Sequence, residues 1–199
     1  MLHVMHFLID GPDDAKRTFL FAHGAGGAMD QPFMNDVARM IAEEGIRVAR
    51  FEFPYMAARR TTGKKRAPDR EPVLLDAWRE AVSEFDVKKV AIGGKSMGGR
   101  MATMVADELH VRAVVCFGYP FHPPGQPQKL RTAHLVAMKT PTLILQGERD
   151  PFGTPPEVES YPLSKAIRVE WFAGGDHSLK PKANVERAAA TAAAFINKT

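Results

Sequence analysis

Gly93-Gly94-Lys95-Ser96-Met97-Gly98-Gly99-Arg100 follows the apolar run Val90-Ala91-Ile92 and precedes a helix-like segment, Met101 to Leu109. A strand that reverses into a helix within a few residues forces its turn residue into a strained backbone conformation. Small neighbours make that conformation accessible. With Gly94 two positions before Ser96 and Gly98 two after, the spacing is that of a nucleophile elbow, G-x-S-x-G. The pentapeptide occurs by chance, so its weight comes from the strand before it and the amphipathic segment after it. A phosphate-binding P-loop is excluded by spacing: it requires glycine at position 89, and that residue is Lys89.

Working outward, apolar runs and helical periods alternate. Residues 4–9 read as an opening strand, ended by the turn cluster 10–14. Thr18 to Ala22 is continuously apolar, as a strand covered on both faces should be, and runs into His23-Gly24-Ala25-Gly26-Gly27. Residues 30–44 carry a helical period closed by Gly45, and residues 46–53 return to strand character stopped by Pro54. A basic loop follows. Residues 72–85 then read as a helix and 87–92 as the strand feeding the elbow. Beyond it come a strand at 113–117, a proline-rich loop at 118–139 and a strand at 141–146. A short helix at 156–163, a last strand at 167–172 and an alanine-rich helix at 181–196 complete the chain. This alternation specifies an α/β class with a mostly parallel central sheet and helices on both faces. The 199 residues suit a single domain, and no insertion is long enough for a separate lid.

A serine hydroxyl is a weak nucleophile at neutral pH. It needs a base to take its proton and a buried acid to hold that base in the correct tautomer. Asp150 follows the strand 141–146 and His177 follows the strand 167–172, so both emerge at the sheet edge that carries Ser96. Asp176 and Glu148 are the reserve acids. Asp176 adjoins His177 and suits a turn-forming role. The Met97 amide, at the start of the elbow helix, is one candidate donor to a developing oxyanion; the amide of Ala25 or Gly24 is the other. His23 is expected to support that loop structurally.

Composition narrows the remaining readings. With 45% hydrophobic residues and both charge signs well represented, the chain is neither disordered nor fibrous. No apolar run approaches a bilayer span, and the first residues lack a basic leader and a cleavage site. Cys116 is the single cysteine and lies in an apolar run, which fits a buried thiol in a reducing compartment, expected to be the cytoplasm. The net charge is +4, yet six basic residues (Arg59, Arg60, Lys64, Lys65, Arg66 and Arg70) crowd one segment with only Asp69 opposing them. Basicity confined to one loop without interleaved aromatics argues against nucleic acid as partner. Because that loop follows a strand on the active edge, Arg59 and Arg60 are candidate contacts for an anionic substrate, beside Gly24.

The chain resembles the α/β-hydrolase superfamily along nearly its whole length. The likeness is carried by His23-Gly24-x-Gly26-Gly27, Gly94-x-Ser96-x-Gly98-Gly99, Gly147-x-x-Asp150 and Gly174-x-Asp176-His177-Ser178. It is more closely similar to the small, cap-less, dienelactone-hydrolase-like branch, although dienelactone hydrolases proper use cysteine where this chain has Ser96. The elbow looks like that of a group containing testis-expressed hydrolase-like proteins and a subunit of the non-specific lethal acetyltransferase complex. The resemblance implies hydrolysis of a small ester, thioester or related acyl substrate by a serine mechanism without cofactor. The competing expectation is an interaction module that keeps the fold without catalysis.

Overall fold

The computed structural model describes residues 5–199. Among these residues one sheet is built from β1 (Leu8–Asp10), β2 (Thr18–Ala22), β3 (Arg47–Phe51), β4 (Val90–Lys95), β5 (Ala113–Phe117), β6 (Thr142–Gly147) and β7 (Ile167–Phe172). Their spatial order is β1-β3-β2-β4-β5-β6-β7. β1 pairs antiparallel with β3, and every other pair is parallel.

The order dictates where helices lie. From β2 the chain steps one way to β3, then returns past β2 to β4 and continues through β5, β6 and β7. Right-handed crossovers therefore put the first helix on one face and the next ones on the other. Leu20 and Ala22 point to a cluster with Trp78, Met101 and Val105, from α3 (Glu71–Ser83) and α4 (Met97–Leu109). Phe19 and Phe21 point oppositely, to Met34, Val37 and Ile41 of α1 (Pro32–Glu43) and Ala188, Ala192 and Ile196 of the closing helix (Lys182–Lys198). All five residues of β2 are buried, as the absence of polar alternation in its sequence requires. No separate domain interrupts this arrangement. The reversal of direction between β2 and β4 opens a crevice at their C-terminal ends, where open α/β sheets bind ligands.

Three expectations are corrected. Of the opening strand expected over residues 4–9, position 4 lies outside the described residues. Among those described the ladder begins at Leu8, and Phe7 before it packs its ring edge-on against Phe51 and Phe85, at 6.3 and 5.2 Å between centroids. The stretch expected to start the elbow strand at Val87 begins instead with a 3₁₀ turn, Val87–Lys89, in which the Asp86 carboxylate accepts the Lys88 amide. The basic segment is only half loop. Pro54–Thr62 forms a helix, α2, with proline in its first turn and Gly63 at φ 68° closing it. Burial of Tyr55 and Met56 docks that helix, so Arg59 and Arg60 occupy its last turn.

No helix among the described residues is long and apolar enough to cross a membrane. Cys116 is fully buried, and burial pushes its thiol pKa up, as expected for an inert core thiol.

Candidate active site

Ser96 stands at the C-terminal end of β4 with φ 49° and ψ −114°, a conformation non-glycine residues rarely hold. Its neighbours explain how the chain tolerates it. A Cβ on Gly94 would lie 2.5 Å from the Ala22 carbonyl oxygen and 2.7 Å from the Gly98 carbonyl carbon. One on Gly98 would lie 2.6 Å from the carbonyl oxygens of both Ala22 and His23. These positions are glycine because backbone meets backbone there, and the same closeness brings the β2 exit loop against the elbow.

The three residues singled out by their strand-exit positions meet. The Ser96 hydroxyl oxygen is 2.9 Å from His177 Nε2, and His177 Nδ1 is 2.8 Å from Asp150 Oδ2. An ionised carboxylate only accepts, so Nδ1 carries the proton, and Nε2 offers its lone pair to the hydroxyl. Burial lowers the imidazole pKa; the Asp150 hydrogen bond opposes this and the Lys95 charge reinforces it. The neutral form that a base requires is thereby favoured.

Asp150 is completely buried and fully occupied. Its Oδ2 also accepts from Gln146 Nε2 at 2.8 Å, and its Oδ1 accepts the Phe152 amide at 2.9 Å. Gln146 is itself fixed, because its Oε1 accepts the Tyr119 amide at 2.7 Å. The Phe152 ring stacks on the His177 imidazole with 4.2 Å between centroids. Asp176 takes the turn-forming role expected of it, accepting the amides of Ser178 and Lys180.

His23 lies beneath the β2 exit loop, as its position suggests. Nδ1–H donates to the Gly24 carbonyl at 2.7 Å and Nε2 accepts the Phe53 amide at 3.1 Å, so the ring is neutral with one assignable tautomer. Burial lowers its pKa in keeping with that state. The Tyr55 hydroxyl donates to the Ala25 carbonyl at 2.9 Å, fixing the next peptide of the loop. Among the described residues, no protein acceptor engages the amide of Ala25 or of Met97.

Ser96 opens into a cleft of about 380 Å³ lined by Ala25, Leu74, Met97, Met101, Pro120 and Phe152, with Asp69, Glu71, Arg100 and Arg131 at its polar wall. Arg59 and Arg60 are not part of it. They line a separate cavity with Asp30 and Glu52, and Arg60 is bound to both of those carboxylates. A helix in place of the expected loop turned them away, and two acids already claim Arg60. The cations that line the Ser96 cleft are instead Arg100, paired with Glu71 at 2.8 Å, and Arg131, which has no carboxylate partner among the described residues. Burial and the neighbouring Arg100 charge lower the Arg131 pKa.

Lys95, Gln146, Phe152, Arg100 and Arg131 were not identified from the sequence. Gln146 did carry a signal: an amide following the apolar run Leu143-Ile144-Leu145, four residues before Asp150.

The parallel sheet, the elbow at its switch point and the acid and imidazole at later strand exits define the α/β-hydrolase fold. Comparison with known proteins agrees: residues 15–198 match the family described as an alpha/beta hydrolase domain, and the chain belongs to that family. Among solved structures it is similar to a dienelactone hydrolase from Anabaena variabilis, with a TM-score of 0.78 and 21% identity over 98% of this chain and 91% of that one. It also resembles a serine hydrolase without a lid from Xanthomonas campestris (TM-score 0.70, 17% identity, 98% and 87% covered). A third likeness is to the esterase domain of a Rhodothermus marinus protein (TM-score 0.70, 16% identity, 96% and 91% covered). At these identities the likeness is one of fold.

Proposed function

We propose that this protein is a serine hydrolase that cleaves a small carboxylic ester, thioester or related acyl compound through an acyl-enzyme on Ser96. The observation that carries the reading is the continuous line from the Ser96 hydroxyl through His177 to buried Asp150, at 2.9 and 2.8 Å, beside an open cleft. Ser96 Oγ attacks the acyl carbon while His177 Nε2 takes its proton, and Asp150 stabilises the imidazolium that forms. The tetrahedral oxyanion receives hydrogen bonds from the Met97 and Ala25 amides, each worth roughly 3 to 4 kcal/mol. Collapse expels the alcohol or thiol, which takes the proton from Nε2. Water then attacks the acyl-enzyme by the same route and regenerates Ser96.

The cleft suits a small acyl group packed among Leu74, Met101, Pro120 and Phe152. Arg131, a cation without a carboxylate partner, favours a substrate bearing a negative charge away from the scissile bond. Glu71 and Asp69, which share that wall, are engaged by Arg100 and by the Tyr55 amide. The dienelactone-hydrolase-like architecture accords with this reading; kinship with the testis-expressed group rests on the elbow residues alone. The non-catalytic alternative is not favoured, since a strained Ser96 and a buried, fully bonded Asp150 are costly to keep without a task.

A fluorophosphonate probe should label wild-type protein at Ser96 and leave Ser96→Ala unlabelled. A panel of short esters and thioesters should show turnover that Ser96→Ala reduces by at least about a thousandfold. Equal labelling or equal turnover in the two proteins refutes the assignment.

A further inference from the structure

Lys95 directly precedes the elbow serine, yet its side chain turns inward and the residue is only 7% exposed. Its ammonium donates to the main-chain carbonyl oxygen of His177, 82 residues away, and lies 5.7 Å from the centre of the Phe33 ring. Gly118 leaves room for it: a Cβ there would lie 3.0 Å from Lys95 Nζ and 2.5 Å from the His177 carbonyl oxygen. No carboxylate comes within ion-pairing distance of the ammonium among the described residues. A buried cation whose hydrogen bond goes to a neutral carbonyl is unfavourable as a device for stability alone.

The loop it holds is otherwise secured on either side of His177 rather than at it. Upstream, Arg149 donates to the Gly174 carbonyl and the Glu148 carboxylate accepts the Gly174 amide. Downstream, Asp176 accepts the Ser178 and Lys180 amides. At His177 itself the ring is bound to Asp150, and the main chain is bound to Lys95.

We propose that Lys95 is a positioning residue for hydrolysis, tying the loop that carries the base to the strand that carries the nucleophile. The proposal rests on the assignment of Ser96, His177 and Asp150 given above. Because Lys95 and Ser96 are consecutive, one residue sets the reach between hydroxyl and imidazole. Its charge acts on the same ring: the ammonium opposes protonation of His177, against Asp150 and Asp176, which favour it. Burial holds the Lys95 pKa down, to about 8, with Asp150 and Asp176 opposing that shift.

The test pairs Lys95→Met, which removes donor and charge, with Lys95→Gln, which keeps a donor and removes the charge. Turnover is measured per folded molecule, and the His177 ring is titrated by NMR in each protein. Lys95→Met should lower kcat tenfold or more with KM within twofold, and should raise the His177 titration midpoint. Lys95→Gln should recover part of kcat while keeping the raised midpoint. A purely structural lysine would lower the melting temperature but leave kcat per folded molecule and the midpoint as in wild type, and that result overturns the proposal. If Lys95→Met does not fold, the same two readings on Lys95→Gln decide. The titration does not depend on turnover, so failure of the hydrolase assignment, seen as wild-type activity equal to Ser96→Ala, is distinguishable from failure here.

Discussion

Asp150→Asn replaces one oxygen of a fully buried carboxylate by an NH₂, and the surrounding hydrogen bonds allow its consequence to be worked out. Asp150 accepts three donors: His177 Nδ1–H and Gln146 Nε2–H at Oδ2, and the Phe152 amide at Oδ1. If the new NH₂ faces Oδ2's partners, it opposes the Gln146 amide nitrogen. Gln146 cannot turn over to relieve this, because its own oxygen accepts the Tyr119 amide. His177 would also have to move its proton to Nε2, where no lone pair remains for Ser96. If the NH₂ faces Phe152 instead, a main-chain N–H is left buried without an acceptor, but the imidazole keeps its tautomer.

Either orientation strands a buried donor, at about 1–3 kcal/mol of stability, which for a domain of this length lowers the melting temperature by roughly 2–12 °C. The second orientation is the less damaging, and in it the remaining loss is the charge. The imidazolium exists only along the reaction path, so its lost carboxylate is felt in kcat. Breaking a buried ion pair costs about 3–5 kcal/mol, which at about 1.4 kcal/mol per tenfold is roughly 10²–10⁴ in kcat. Thermal unfolding with ester turnover per folded molecule measures both effects. A variant that melts lower but keeps kcat within tenfold of wild type would refute the role given to Asp150.

Gly98→Ala should cost about 1–3 kcal/mol, since its methyl meets two carbonyl oxygens at 2.6 Å; because relief requires the Ala25 loop to retreat, kcat should fall more than KM rises. Arg131→Gln should raise KM about tenfold for an ester with a remote carboxylate and leave the matched neutral ester unchanged; equal effects on both would remove Arg131 from recognition. Acid should destabilise the fold through its buried and half-buried imidazoles. Burial lowers the His134 pKa from 6.5 to about 4, and lowers those of His23 and His177. The unfolded chain therefore binds more protons below about pH 6.5, and stability present above that pH is lost as pH falls toward 4. Allowing for its partial exposure, His134 contributes on the order of 2 kcal/mol. Denaturant unfolding between pH 7 and 4 measures this, and His134→Gln should flatten the dependence.

Much of this architecture was legible because its causes are local. Continuous apolar runs predict buried parallel strands, and strands of that kind send their following loops to one edge; placing Ser96, Asp150 and His177 together required only their positions after β4, β6 and β7. The glycines of the elbow are legible for the same reason, since a backbone approach excludes every other residue. Arg59 and Arg60 were misplaced although the signals for α2, Pro54 at its start and Gly63 at its end, were present. The dense basic charge between 59 and 70 outweighed them, yet charge density says nothing about backbone conformation, and the two apolar anchors Tyr55 and Met56 decide it.

Lys95 and Gln146 were illegible for a different reason. Each looks like a polar interruption of a strand, and what makes it meaningful is a partner outside that strand: the His177 carbonyl for one, Asp150 and the Tyr119 amide for the other. A parallel sheet supplies such partners systematically, because the last residues of one strand face the loop leaving another. A polar residue near the end of an apolar strand in this fold is therefore where support for the reacting groups should be sought. Gln146→Leu tests this beyond Lys95. It removes a donor to Asp150 and leaves the Tyr119 amide without its acceptor, so a stability loss of about 1–3 kcal/mol is expected. With one of its three donors gone, the Asp150 carboxylate is held less firmly against His177 Nδ1, and kcat should fall in the same variant. A loss of stability with an unaltered kcat per folded molecule would confine Gln146 to holding the fold.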